Sequence, residues 1–137
     1  MGNFTKSYHA NVGLNHTPAY QVSGRPFATG SVDATTAEKI EFPFLTRWIQ
    51  VLNHGNGDVK VGFSQNGVDN GYNYFRVAQP DNDATSAPTS ARLELKVSEL
   101  WISGSNSVDI VAGLTTVPVS RASGSTGPSF SGSSGVG

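Results

Sequence analysis

The chain has 137 residues and a formal net charge of −1, contains no cysteine, and is poor in apolar (36%) and charged (14%) residues. This composition excludes disulfide bonds, thiolate metal sites and cysteine nucleophiles, and the singly scattered basic residues form no run that would bind nucleic acid or an anionic membrane. One domain of many short strands, joined by turns rich in Gly, Ser and Asn, fits it best.

Residues 1–35 predict an irregular, polar N-terminal arm with edge strands. The stretches "PAYQV" and "RPFATGSV" each contain or follow a proline, which confines a strand to the edge of a sheet. The first residues lack the apolar run of a signal peptide, and no stretch has the length of a transmembrane helix. We therefore expect cytoplasmic synthesis and no membrane partner.

The next segments alternate between apolar and polar residues, which indicates half-buried strands. In "AEKIEF", Ile40 and Phe42 point to one side, and in "DVKVGFS", Val59, Val61 and Phe63 face the core. The stretch "HGNG" predicts a hairpin turn between the strands "TRWIQVLN" and "DVKVGFS", because Asn-Gly is typical of two-residue hairpin connections. The stretch "QNGVDNG" predicts a further turn region. The stretch "YNYFRVA" then resumes an extended conformation.

The last third of the body predicts another strand and a final hairpin. In "RLELKV" the inward residues are Leu93, Leu95 and Val97, but continuing this alternation would bury Glu99, so we predict a β-bulge beside it. The stretches "ELWIS" and "VDIVAGL", joined by "GSNS", predict the hairpin. Seven to nine strands, with turns about every 8 to 12 residues, predict an all-β fold, a single antiparallel β-sandwich of jelly-roll type over residues 36–119.

No motif in the sequence indicates catalysis. The three histidines are too far apart to form a metal-binding pair, and nucleophile-elbow, phosphate-loop and dinucleotide fingerprints are missing. Asp81 and Asp83 have the oxygen ligands that calcium prefers, and Glu94 with Glu99 would be a carboxylate pair for a hydrolase. Solvated surface explains Asp81, Asp83 and Glu94 as well. We therefore predict a protein that is not an enzyme and has neither a cofactor nor a metal ion.

One candidate surface feature is a row of Tyr72, Tyr74 and Arg76. The three residues share one parity within an extended segment, so they are expected to lie on one face of a strand. Tyrosine and arginine are enriched at protein interfaces, and tyrosine rings also stack on sugars. The row predicts an interface, although a partly covered sheet face is an alternative.

Three stretches resemble a known group of proteins over residues 40–118. The segments "VGFSQNGV", "LELKV" with its following aromatic strand, and "VDIVAGLTTVP" are similar to small single jelly-roll virion proteins of double-stranded DNA viruses and phages. These include penton-type vertex proteins and head decoration proteins. The resemblance implies a structural protein of the virion, in a symmetric homo-oligomer that contacts copies of itself and other capsid proteins.

The C-terminal stretch 120–137 is a second predicted interface. Twelve of its 18 residues are Ser or Gly, which offer little surface to bury against the entropy of ordering. The resemblance implies that such arms become ordered against neighbouring subunits. The candidate contact residues are Ser120, Arg121, Pro128, Phe130 and Val136, with Phe130 as the apolar anchor.

One alternative function stays open on the sequence alone. A β-sandwich with an exposed aromatic row would also suit a carbohydrate-binding module, either lectin-like or receptor-binding. That reading would place calcium near Asp81 and Asp83.

Overall fold

The computed structural model describes residues 24–80 and 88–119, which form seven strands and one short helix. The elements are β1 (Arg25–Ala34), β2 (Glu38–Glu41), β3 (Phe44–Asn53), β4 (Val59–Gly62), α1 (Gln65–Asp69), β5 (Tyr74–Val77), β6 (Glu99–Ser103) and β7 (Ser105–Pro118).

The strands form two antiparallel sheets around a shared core. The three-stranded sheet has the order β1-β7-β3, and the four-stranded sheet has the order β2-β6-β4-β5. Their inward side chains pack into one apolar cluster. Its fully buried members include Ile49, Val51, Val59, Val61, Leu100, Ile102 and Val108. This arrangement confirms the predicted all-β class and the antiparallel sandwich. The side chains of β4 alternate as predicted, with Val59 and Val61 buried.

Strand β1 lies at the edge of the three-stranded sheet, as predicted for "RPFATGSV". The sandwich therefore begins inside the range 1–35 that we assigned to the arm and edge strands; "PAYQV" lies outside the described residues. Two residues of β1, Gly30 and Ser31, lie opposite the single residue Asp109 of β7, which makes a β-bulge. Ser31 has a φ of 55°. The Ser31 N–H donates to the Asp109 carboxylate over 2.8 Å, which holds this bulge against β7.

Both predicted hairpins are wrong, because their strands belong to opposite sheets. Strand β3 pairs with β7 while β4 pairs with β5 and β6, so the "HGNG" turn carries the chain from one sheet to the other. The turn between β6 and β7 does the same. Gly57 and Gly104, with φ of 104° and 111°, make these reversals possible. The two turns touch, since a Cβ added at Gly57 would lie 2.6 Å from the Gly104 carbonyl oxygen.

The stretch "QNGVDNG" forms a helical turn, α1, where only a turn region was predicted. Ser64 caps it by accepting a hydrogen bond from the Gly67 N–H over 3.0 Å. Val68 is 1% exposed and packs on the outer face of β4, where a Cβ added at Gly62 would lie 2.8 Å from its Cγ1. The glycine in β4 thus gives α1 room to cover the end of that strand.

The stretch "RLELKV" runs antiparallel along β3 without forming a regular ladder. Its alternation holds, since Leu93 and Leu95 are half-buried and Val97 is buried. Backbone bridges join Leu93 to Ile49 and Thr89 to Leu52. Farther along, the Thr46 backbone N–H donates to the Val97 carbonyl over 3.1 Å. The Thr46 hydroxyl adds to this contact, since it donates to the Leu95 carbonyl over 2.5 Å and accepts from the Val97 N–H over 3.1 Å.

The predicted bulge beside Glu99 is a bend at Ser98 instead. Val97 and Ser98 are both buried, and the inward positions change from odd to even numbers at this point, so Leu100 is buried as β6 begins. At Ser98 the chain leaves β3 and enters the opposite sheet. This change of sheet, and not a β-bulge, shifts the core-facing positions by one residue.

Candidate binding surface at strand β5

Strand β5 lies at one edge of the four-stranded sheet and presents two of the predicted interface residues outward. Phe75 lies opposite Val61 and faces the core, so Tyr74 and Arg76 share the outer face. Arg76 lies directly opposite Lys60 of β4. The structure therefore adds Lys60 to the row, a residue that the sequence could have indicated only if the register of the two strands had been known.

Tyr74 lies within reach of both cations. The Lys60 ammonium is 4.9 Å from the centroid of the tyrosine ring, and the centre of the Arg76 guanidinium is 5.3 Å from it. Arg76 also donates a hydrogen bond from Nη2 to the tyrosine hydroxyl over 3.1 Å. Attraction between the cations and the π-face holds these three side chains together, and we call Lys60, Tyr74 and Arg76 the β5 cluster.

The β5 cluster carries two positive charges that no carboxylate of the described residues pairs with. Like charges directly opposite each other in a sheet are destabilising. Lys39, on the same face of the sheet, is different, because it lies 2.7 Å from Glu41 and 3.4 Å from Glu99. The hydrogen bond that Lys39 donates to Glu41 is the main cause that raises the pKa of Lys39 above 10.5, and desolvation of the ammonium partly opposes it.

Tyr72 belongs to the bend that precedes β5, so the shared strand face that we predicted for it is wrong. It is 90% exposed, and it lines the same cavity as Tyr74. The cavity has a volume of about 300 Å³. Its lining residues are Val61, Phe63, Tyr72, Asn73, Tyr74 and Phe75. The predicted row is thus a strand-borne pair, Tyr74 and Arg76, with Tyr72 beside it at an aromatic cavity.

The carboxylates considered for catalysis do not converge. Glu94 pairs with Arg92 over 2.7 Å, whereas Glu99 pairs with Lys39. His54 lies 3.1 Å from the Asp109 carboxylate. Over residues 24–80 and 88–119, no group of three or more His, Cys, Asp or Glu side chains could hold a metal ion.

The remaining predicted residues lie outside the described ranges. They are the calcium candidates Asp81 and Asp83 and the arm residues Ser120, Arg121, Pro128, Phe130 and Val136. In the described part of the chain, no helix combines the length and apolar character needed to cross a bilayer.

Comparison of the chain with models of protein families, with curated proteins and with solved structures found no match. The strand order and the β5 cluster are therefore the observations that bear on function.

Proposed function

We propose that this protein is a non-enzymatic structural protein of a virus or phage particle, built on an eight-strand jelly roll. The supporting observation is a nested strand pairing, once the irregular segment 88–97 is counted as the sixth strand. The first strand then pairs with the last, the second with the seventh, the third with the sixth and the fourth with the fifth. A jelly roll consists of eight strands in this order, and viral capsid domains use it, as do lectins and cupins.

The ends of the described chain support a role for the arms. Arg25 pairs with Leu114 and Phe44 pairs with Pro118, so Gly24 and Val119 lie at the same end of the three-stranded sheet. The 18 residues that follow Val119 can span about 60 Å when extended, enough to cross a neighbouring subunit. In this proposal the sandwich is a rigid body, and the segment from Ser120 to Gly137 binds a second copy within a symmetric oligomer of a vertex, minor capsid or decoration protein.

The mass of the particle in solution tests this proposal. We would compare the full chain with a chain that ends at Val119 by sedimentation velocity and thermal unfolding. We expect the full chain to assemble, and the shortened chain to keep its melting temperature within about 3 °C but lose most of the assembled mass.

A full chain in which Phe130 alone is replaced by Ser should assemble more weakly, whereas Ser131→Ala serves as the matched control. A full chain that stays monomeric at about 100 μM, a concentration at which even weak self-association is populated, would refute the proposal. Equal assembly of the two chain lengths would refute the role of the arm.

A second candidate function is favoured by one observation, the exposure of Tyr72 at the edge of an aromatic cavity. In a carbohydrate-binding module these groups would contact sugar. In the assembly proposal Tyr72, Tyr74 and Arg76 would instead contact a neighbouring subunit. Saturable glycan binding that depends on Tyr72 would favour the module, whereas protection of these residues on assembly would favour the interface.

A further inference from the structure

We propose that the aromatic cavity beside Tyr72 receives Phe130 from the C-terminal segment of a second copy of this chain. This inference rests on the proposed assembly function, and it assigns the contact through which the copies bind each other. Three features of the described residues carry it: the end of the sandwich at which the cavity lies, the exposure of Tyr72, and the size and lining of the cavity.

The cavity lies at the end of the sandwich where Gly24 and Val119 are found, which we call the arm end. Strand β3 begins at the arm end, since Phe44 pairs with Pro118. It runs to the "HGNG" turn at the opposite end, from which β4 returns in the other sheet. The connection between β4 and β5, which contains α1 and Tyr72, is therefore at the arm end. The cavity and the start of segment 120–137 thus share one end of the molecule.

Tyr72 is the most exposed large hydrophobic side chain of the described residues, at 90%. It also lines the cavity. Tyrosine is among the residues that contribute most to binding at protein interfaces, because its ring buries a large area at a small cost in conformational entropy. A partner that enters the cavity would cover this ring.

The cavity has the lining and the room for one aromatic side chain. Val61 and Phe75 face the core, and Phe63 packs against it, so a ring that enters the cavity would extend the core of the sandwich. Its volume of about 300 Å³ exceeds the roughly 150 Å³ that already holds benzene. Aromatic rings also pack favourably against one another in edge-to-face or offset arrangements.

The C-terminal segment offers one side chain that fits this cavity. Phe130 is the only aromatic residue of segment 120–137, in which twelve of the 18 residues are Ser or Gly. It follows Val119 by eleven residues, which span at most about 40 Å when extended. Two copies whose arm ends face each other across a two-fold axis would each supply one Phe130 and one cavity, so the contact would be made twice.

Self-association of the full chain measures this contact. We would determine by sedimentation velocity the concentration at which half of the chain is assembled. Tyr72→Ala and Phe130→Ser should each raise it at least about tenfold, and the double variant should raise it little further, because both changes remove the same contact. Tyr72→Ala should shift the melting temperature by less than about 2 °C, since its side chain is exposed. Asn56→Ala, at an exposed position in the turn at the opposite end, is the control and should assemble like the natural chain.

A disulfide between two engineered cysteines shows whether the contact joins two copies, because the chain itself has no cysteine. Asn70→Cys lies just after α1, and Ser131→Cys lies next to Phe130, so both aromatic residues stay in place. We would mix the two single variants as full chains and oxidise the mixture mildly. We expect a covalent heterodimer, identified by its mass, and much less of it when Asn56→Cys replaces Asn70→Cys.

The outcomes separate this inference from the function on which it rests. A chain that assembles equally well with Tyr72→Ala and with Asn56→Ala would refute the inference and leave the assembly function standing. No excess of heterodimer over the Asn56→Cys control would refute it too, and a disulfide formed only within one chain carrying both Asn70→Cys and Ser131→Cys would place Phe130 in the cavity of its own copy. Assembly that needs residues 1–23 but not Phe130 would overturn it in favour of the N-terminal segment. A full chain that stays monomeric would refute the assembly function itself.

Discussion

The side-chain amide of Asn53, at the end of β3, donates a hydrogen bond to the carbonyl oxygen of Val77, at the end of β5, over 3.1 Å. The same nitrogen lies 2.9 Å from the Gly57 carbonyl oxygen and 3.1 Å from that of Ala78. Asn53 is 0% exposed. One buried side chain therefore connects the two sheets and satisfies backbone groups that water does not reach.

Replacing Asn53 by Ala should lower the free energy of unfolding by about 3 kcal/mol, because several buried polar groups lose their partner at once. These groups include the Ser105 hydroxyl, which donates to the Asn53 Oδ1 over 2.7 Å. Urea unfolding measures the change. As the control, Asn106→Ala removes one exposed hydrogen bond to the Asn56 N–H and should cost less than about 1 kcal/mol. Equal losses for both variants would contradict this role of Asn53.

Replacing Gly104 by Ala should destabilise the fold by at least about 2 kcal/mol. Its φ of 111° is strained for any residue with a Cβ, and that Cβ would lie 2.5 Å from the Asp58 carbonyl oxygen. Thermal unfolding checks the prediction. Gly24→Ala is the control, since its Cβ would make only an ordinary contact of 3.9 Å with Thr116. A Gly104→Ala variant as stable as this control would show that the turn adapts.

Replacing Thr46 by Val should loosen the segment 88–97. The substitution keeps the shape but removes the hydroxyl that bonds both the Leu95 carbonyl and the Val97 N–H. We expect a loss of about 1 to 2 kcal/mol and faster hydrogen exchange of the Val97 amide, measured by NMR. Thr116→Val, at an exposed position, should change neither. Unchanged exchange at Val97 would mean that the backbone bridges and core packing hold the segment without the Thr46 hydroxyl.

The ion pairs of Lys39 should make stability depend on alkaline pH. Because the folded-state pKa is raised above 10.5, the stabilisation is fully present below pH 10.5 and is lost as the pH rises through the folded-state pKa. The difference in melting temperature between the natural chain and Lys39→Gln should therefore be constant at neutral pH and shrink above pH 10.5. In the Glu41→Gln background the difference should be small throughout, because the main cause of the shift is gone. A pH-independent difference would disprove the linkage.

Local alternation was a reliable guide to which side chains face the core. Val59 and Val61 are buried where the pattern places them, and Leu93, Leu95 and Val97 keep their inward side even without a regular ladder. This works because successive side chains of an extended chain point to opposite sides whatever strand lies beside them. The same rule misled for Tyr72, which lies in a bend and not on β5.

Strand partners were a different matter, as the two mistaken hairpins show. An Asn-Gly or a Gly-Ser turn reverses the chain equally well within one sheet or between two sheets. Strand β7 pairs with β1 and β3, whereas β6 pairs with β4, and these non-local pairings put β6 and β7 in opposite sheets. The pairing of Arg76 with Lys60, and with it the charge of the β5 cluster, depends on the same non-local contacts.

The amino-acid sequence by itself determined the all-β class, the inward positions of most strands and the presence of Tyr74 and Arg76 on one face. Only the tertiary structure decided which strands are neighbours, where the chain changes sheets, and that Lys60 lies opposite Arg76. The reason is that alternation follows from the geometry of a single extended chain, whereas register and sheet order follow from packing between residues far apart in sequence.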